Sequence, residues 1–156
     1  MSRFRLDHLA TGGAETEEAR AVLEDCHALR RLVFVEEQRV EAALEWDELD
    51  ALAEHFLARR TEDGVAVGTA RLRVVAGRAK AERVAVRADA RQSGVGRFLM
   101  RALEERARAM GCDEVLLNAQ LTALPFYEAL GYVADGPIFE EAGIDHRAMR
   151  RGLSDE

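Results

Sequence analysis

Two cysteines in 156 residues are too few for a disulfide framework, and neither falls in a cluster with metal-ligand spacing. Cys26 lies on the apolar face of an expected helix and Cys112 begins an expected strand, so both read as small buried hydrophobes. No metal is expected. No apolar run approaches the ~18 residues that a membrane-crossing helix needs. The first residues, Met1-Ser2-Arg3-Phe4-Arg5-Leu6-Asp7-His8, lack the apolar core of a secretory signal. These absences predict a cytoplasmic protein with no membrane partner. A basic surplus is missing too: 29 acidic against 22 basic residues leave a formal charge of −7. That argues against nucleic acid as the main partner, because phosphate backbones are bound by clustered Lys and Arg.

What is present describes one globular domain over residues 1–156, with 48% hydrophobic and 33% charged residues. Phe4–Ala10 reads as a first strand, broken at Gly12-Gly13. Thr16 can cap a helix whose apolar face is Val22, Leu23, Cys26, Leu29 and Val33. Arg39–Asp50 is acidic and irregular, with Leu44, Trp46 and Leu49 as its candidate anchors. Between Glu36 and Glu54 eight carboxylates face a single arginine, Arg39. This is either a solvated face or a surface that attracts a cationic substrate. Glu54–Arg60 and Val65–Val75 are strands around Thr61-Glu62-Asp63-Gly64, a hairpin signal. Ala76-Gly77-Arg78 turns the chain into a further strand, Ala81–Val86, so strands two to four form an antiparallel meander.

The chain is organised around the turn and helix that come after that strand. Arg91-Gln92-Ser93-Gly94-Val95-Gly96 is a turn, and Val95, Phe98, Leu99, Ala102, Leu103 and Met110 recur at helical spacing up to Gly111. A strand entering a helix through such a turn aims unpaired N–H groups and the positive helix end at one spot, an anion site suited to phosphate. The bland alternative is a helix capped by Ser93, with both glycines present for packing. An ATP-type loop would end in Gly-Lys-Ser/Thr, whereas Gly96 precedes Arg97-Phe98. The next strand, Asp113–Gln120, completes a right-handed parallel crossover with Ala81–Val86. It brings Asn118, Ala119, Gln120 and the following short helix, with Pro125 in its first turn, to the edge that carries the turn. In that helix Phe126, Tyr127 and Leu130 are expected to face inward. Cys112 belongs to the opposite edge, which argues against a cysteine nucleophile. Weaker strands at Tyr132-Val133, Ile138-Phe139 and Ala148–Leu153 complete an α+β pattern with a mixed sheet.

Arg91-x-x-Gly94-x-Gly96, followed by Phe98-Leu99-Met100, resembles the acetyl-CoA signature of the GNAT superfamily of N-acetyltransferases. Ala123-x-x-Phe126-Tyr127-x-x-x-Gly131-Tyr132 resembles its second signature. Val33-Phe34-Val35-x-Glu37-Gln38, Glu45-x-Asp47-x-x-Asp50, Gly68-Thr69-Ala70-Arg71-Leu72, Glu82-Arg83-Val84-Ala85-Val86 and Glu141-Ala142-Gly143-Ile144-x-His146 narrow the likeness to small bacterial proteins of the ElaA/YjcF-like group. The resemblance implies a mixed, mostly antiparallel sheet of about six or seven strands flanked by about four helices.

It further implies an acetyl-CoA-dependent N-acetyltransferase acting on a small-molecule amine by direct attack in a ternary complex. The same fold without turnover would be a CoA-binding sensor or interaction protein, and a homodimer is compatible with either. The pyrophosphate is implied on Gln92, Ser93, Gly94, Val95, Gly96 and Arg97, with Arg91 and Arg97 adding charge. The pantetheine arm is implied along Val84, Ala85 and Val86, with Gln120 and Phe126 also on the cofactor side. Gln92 and Gln120 depart from the family pattern, which favours glycine and asparagine there. Tyr127 occupies the family's position for the acid that protonates the leaving thiolate. Glu82 is the first choice of base. His55 and His146 are alternatives with suitable intrinsic chemistry. Asn118, His55, Asp47 and Asp50 are expected on the acceptor side, the two aspartates for a cationic amine.

Overall fold

Three strands run as the expected antiparallel meander, β2 (Glu54–Arg60), β3 (Ala66–Val75) and β4 (Arg78–Val86), and β1 (Phe4–Leu9) adds antiparallel to β2. The computed structural model describes residues 2–11 and 15–153; Gly12-Gly13, expected to break the first strand, lie outside them. β5 (Glu114–Gln120) joins β4 in parallel, and β6 (Val133–Glu141) and β7 (Ile144–Gly152) extend the sheet in the order β1-β2-β3-β4-β5-β7-β6. Of the three weaker strands expected here, the first two merge into β6, which pairs with β7 as a hairpin closed by Ala142-Gly143 and interrupted by an irregularity between Ala134 and Ile138.

Among the described residues four α-helices accompany the sheet. α1 (Glu17–Arg30) starts at Thr16, whose hydroxyl accepts from the Ala19 N–H at 3.1 Å as the sequence predicts, and it continues as a π-helix over Arg31–Glu37. α2 (Ala42–Glu45) is a single turn, α3 (Val95–Ala109) is the crossover helix and α4 (Leu124–Ala129) is short. The alternation of β2 sorts the two long helices. Phe56 and Ala58 join the cluster containing Leu99 and Leu103 of α3, while Leu57 joins Cys26 and Leu29 of α1. Side chains alternate across a strand, so the helices cover opposite faces. α3 ends in a Schellman arrangement, with Cys112 N–H on the Ala107 carbonyl and Gly111 N–H on the Arg108 carbonyl, both 3.0 Å.

Two features of the sheet position the site. Thr69 pairs with Ala85 but Arg71 pairs with Glu82, so Arg83 and Val84 together oppose Ala70. This is a β-bulge, and Arg83 takes the left-handed φ of 53° that the extra residue requires. Second, β4 and β5 pair only at Ala79–Val115 and Lys80–Leu116. Beyond Lys80 the bulge bends β4 away, and a gap opens between two parallel strands.

The Arg39–Asp50 segment corrects the sequence reading. Leu44 and Trp46 are 55% and 59% exposed, Trp46 meeting the edge of the His27 ring, and of the three expected anchors Leu49 alone is half-buried. A one-turn helix cannot hold itself, and carboxylates fix it instead. Glu45 accepts from Arg30 Nε at 2.6 Å, Asp47 from Arg71 at 2.7 and 3.0 Å, and Asp50 from Arg30 at 2.8 Å and Arg71 at 3.0 Å. Arg30 and Arg71 are each 1% exposed. Charges so deeply buried require such partners.

Candidate active site

The gap between β4 and β5 widens into a cleft of about 720 Å³. Glu82, Val84, Ala85 and Val86 form one wall, Asn118 and Gln120 the other, and Tyr127 closes one side. The crossover thus brings together most of the residues expected to serve the cofactor arm and the chemistry. The π-helix supplies a roof. Gln38, the residue just past its end, crosses to Gln120, each amide donating to the other at 2.8 and 3.3 Å. Glu37 reaches Arg91, which donates to its two oxygens at 2.5 and 2.8 Å. Glu37 and Gln38 belong to a segment that carries the family likeness, yet nothing in their residue type marks them as cleft residues.

The turn before α3 is open to an anion. Gly94 is the residue before the first helical turn, with φ 97°, and no side chain caps the helix. Ser93 is not the cap: its hydroxyl donates to the Ala90 carbonyl, and its own carbonyl accepts from Arg3. The first-turn N–H groups, which no intrahelical carbonyl can satisfy, therefore remain available. Gln92 sits at φ 65°, a left-handed conformation that costs a side-chain-bearing residue roughly 1–2 kcal/mol. Arg97 is exposed and has no ion-pair partner among the described residues, whereas Arg91 is already paired with Glu37.

Phe126 does not face inward as expected. It is 37% exposed and lies over α3's first turn, where a Cβ on Gly96 would come within 2.8 Å of its Cζ. Its neighbour Tyr127 is 7% exposed and wedged edge-on between Phe126 and Tyr132, with ring centroids 4.9 and 5.8 Å away. Tyr132 is itself tethered by its hydroxyl to Glu104 at 2.7 Å. The Tyr127 hydroxyl makes no hydrogen bond among the described residues, and burial raises its pKa well above that of an ordinary phenol. It is a neutral donor at the cleft wall.

Three expected roles fail on geometry. Glu82 lines the cleft, but Arg73 donates to both its oxygens at 2.6 and 2.8 Å, and Arg71 adds bonds of 3.0 and 3.2 Å. Although burial pushes its pKa upward, the guanidinium bonds outweigh it and the net shift is downward. A carboxylate so engaged is a poor base. Asp47 and Asp50 do not face the cleft. They are taken up by arginines and border a second cavity of about 470 Å³ instead. Their carboxyls also stay ionised: burial works against this, but bonds from Arg71 to Asp47, and from His27, Arg30 and Arg71 to Asp50, outweigh it. His55 borders the same second cavity. It is 4% exposed, donates Nε2–H to the Asp50 carbonyl at 3.0 Å, and burial lowers its pKa.

His146 comes into the cleft instead. It lies on β7 directly across from Gln120, with its ring stacked at 22° on Phe139.

Residues 22–153 match the family model described as an acetyltransferase (GNAT) domain. The chain therefore belongs to the GNAT acetyltransferases and is an enzyme of acyl transfer from an acyl-CoA donor. Among curated proteins it is 41% identical over 130 residues to the uncharacterized N-acetyltransferase YjcF of Bacillus subtilis, covering 83% of this chain and 91% of that protein. Among solved structures it is similar to an acyl-CoA N-acyltransferase from Pseudomonas aeruginosa, at 30% identity and a TM-score of 0.79 over 95% of this chain and 99% of that one. It is similar also to Escherichia coli ElaA, at 25% identity and a TM-score of 0.76 over 95% and 99%.

Proposed function

We propose that the chain transfers an acetyl group from acetyl-CoA to the amine of a small, cationic acceptor, by direct attack within a ternary complex. The observation that carries this reading is the meeting, at one sheet edge, of an uncapped α3, a bulge-opened cleft and the unengaged Tyr127 hydroxyl. N–H groups of Gln92 to Arg97 receive the pyrophosphate, with charge from Arg97 and from Arg91 once it leaves Glu37. Val84, Ala85 and Val86 lie beyond the last β4–β5 pair, so their β5-facing backbone groups can pair with the pantetheine arm as a further strand would.

The bound thioester supplies the acyl carbon. Tyr127 holds the proton that the departing sulfur takes; its burial keeps the phenol neutral until then. Asn118 is exposed on β5, its side-chain amide makes no hydrogen bond among the described residues, and it orients the acceptor or the acyl carbonyl. The cationic preference rests on the whole-chain charge of −7 and on Glu36, Glu41 and Glu48, exposed without ion-pair partners among the described residues. Within the cleft, five carboxylates and five Lys and Arg side chains cancel. Residues 1–156 act together as one cytoplasmic domain.

The test is release of free CoA thiol from acetyl-CoA with a panel of amines. Polyamine-like acceptors should give the highest kcat/KM, falling as salt screens the field. A preference for acidic amines would remove the cationic reading. Tight cofactor binding with no turnover on any amine would replace the enzyme with a silent CoA-binding protein.

A further inference from the structure

We propose that His146 is the general base of the reaction, the proton acceptor for the incoming ammonium; this rests on the acetyl-transfer reading above. Its tautomer is set by hydrogen-bond chemistry. Nδ1 lies 2.7 Å from the Ile144 carbonyl oxygen, which can only accept, so Nδ1 carries the proton. In the neutral ring Nε2 is then a bare lone pair. Nε2 has no hydrogen-bond donor on it among the described residues, and the side chain, 11% exposed, borders the cleft.

The surroundings suit a group that gains a positive charge. Glu141, at the end of β6, places Oε2 4.0 Å from Nε2, too far to occupy the lone pair in a bond but near enough to stabilise an imidazolium. Phe139 beneath the ring, with centroids 5.9 Å apart, fixes its plane. On β5 the facing residue is Gln120, uncharged and tied to Gln38. Along the same face Asp135 and Arg150 pair with each other at 3.8 Å, and across the cleft Glu37 is paired with Arg91. The remaining cleft carboxylates are therefore engaged, Glu82 most of all, whereas Nε2 of His146 is not.

In the transfer step Nε2 takes one proton from the acceptor's ammonium, and the freed nitrogen lone pair forms the C–N bond to the thioester carbon. The C–S bond breaks with its electron pair on sulfur, which takes the Tyr127 phenolic proton. The phenolate is reprotonated by the second N–H proton of the acylated nitrogen, and the imidazolium gives its proton to water. One proton per turnover reaches solvent.

His146→Asn separates a base from a structural histidine. The asparagine amide can still donate to the Ile144 carbonyl but has nothing in place of Nε2. As base, His146 predicts a kcat/KM for the Asn variant about 10²- to 10⁴-fold lower at pH 7. That loss shrinks as pH rises and the acceptor amine becomes neutral unaided, while the acetyl-CoA Kd from calorimetry stays unchanged. Wild-type kcat/KM in a folded Asn variant overturns the proposal and leaves acetyl transfer standing. A readout free of turnover is the ring nitrogen NMR of the wild-type protein: the Nδ1–H tautomer at neutral pH is expected, and the Nε2–H tautomer overturns it. Tight acetyl-CoA binding without transfer to any amine instead removes the transfer reading, and the base with it.

Discussion

Gly96 and Phe126 touch so closely that a methyl on Gly96 would stand 2.8 Å from the Phe126 ring. One residue belongs to the turn and the other is the neighbour of Tyr127, so this contact joins the proposed phosphate end of the site to the proposed acid. Phe126 is partly exposed and can swing away, so Gly96→Ala should fold. Overpacking costs typically about 1–3 kcal/mol, and here the lower end is expected. Acetyl-CoA affinity should fall about tenfold as the ring and turn move. Adding Phe126→Ala should restore part of that affinity; coupling of roughly 0.5–3 kcal/mol between touching residues is the usual range. Strictly additive Kd changes in the double-mutant cycle would show that the contact carries nothing.

Arg91 and Glu37 form an exposed pair, with side chains 40% and 39% accessible. If Arg91 binds the cofactor phosphate as proposed, Glu37 competes with it for the guanidinium. Exposed pairs contribute about 0.2–1 kcal/mol, so Glu37→Gln should tighten acetyl-CoA binding by no more than about fivefold, and Arg91→Ala should weaken it. Calorimetry checks both signs.

Arg71 is bonded to Asp47, Asp50 and Glu82. Removing one partner of a buried pair costs about 3–5 kcal/mol, and Arg71→Met should fall near the lower end because Asp47 and Glu82 keep some access to water. The three carboxyls have lowered folded pKa values. Their contribution is complete above the unfolded value of about 4 and is lost as pH falls through the lower folded values. Wild-type stability should thus begin to drop below about pH 6.5 through His55, whose folded pKa is lowered. It should drop again below about pH 4 through the carboxyls. In Arg71→Met each of the three carboxylates loses one of its cationic partners, so the variant's deficit should narrow in acid. Urea melts from pH 3 to 7 measure this; a pH-independent deficit would argue for lost packing alone.

The meander, the crossover, the α3 turn and the short Tyr127 helix were legible because each rests on local patterning: an Asp-Gly turn, helical spacing, glycine stops. Arg83's positive φ and the bulge were not, since nothing about arginine announces a left-handed backbone. The acceptor side was misread for a related reason. Asp47 and Asp50 look like an open acidic face in sequence because the arginines that neutralise them, Arg30, Arg71 and Arg83, come from α1, β3 and β4. His55 and His146 were indistinguishable by residue type. Only the sheet register, which sets His146 against Gln120 at the cleft and leaves His55 facing Asp50, separates them.

Direct transfer has a kinetic signature that reaches the centre of the mechanism. No cysteine is placed for an acyl-enzyme: burial pushes Cys26 up to about 11, and Cys112 precedes β5 at the end away from the α3 turn. Enzyme loaded with acetyl-CoA and mixed rapidly with an amine should release acetylated amine and CoA thiol together, in equal amounts. Tyr127→Phe should slow both equally, by about 10²-fold or more, without changing the acetyl-CoA Kd. Acetyl found on the protein before amine is added, or wild-type rates in Tyr127→Phe, would contradict it.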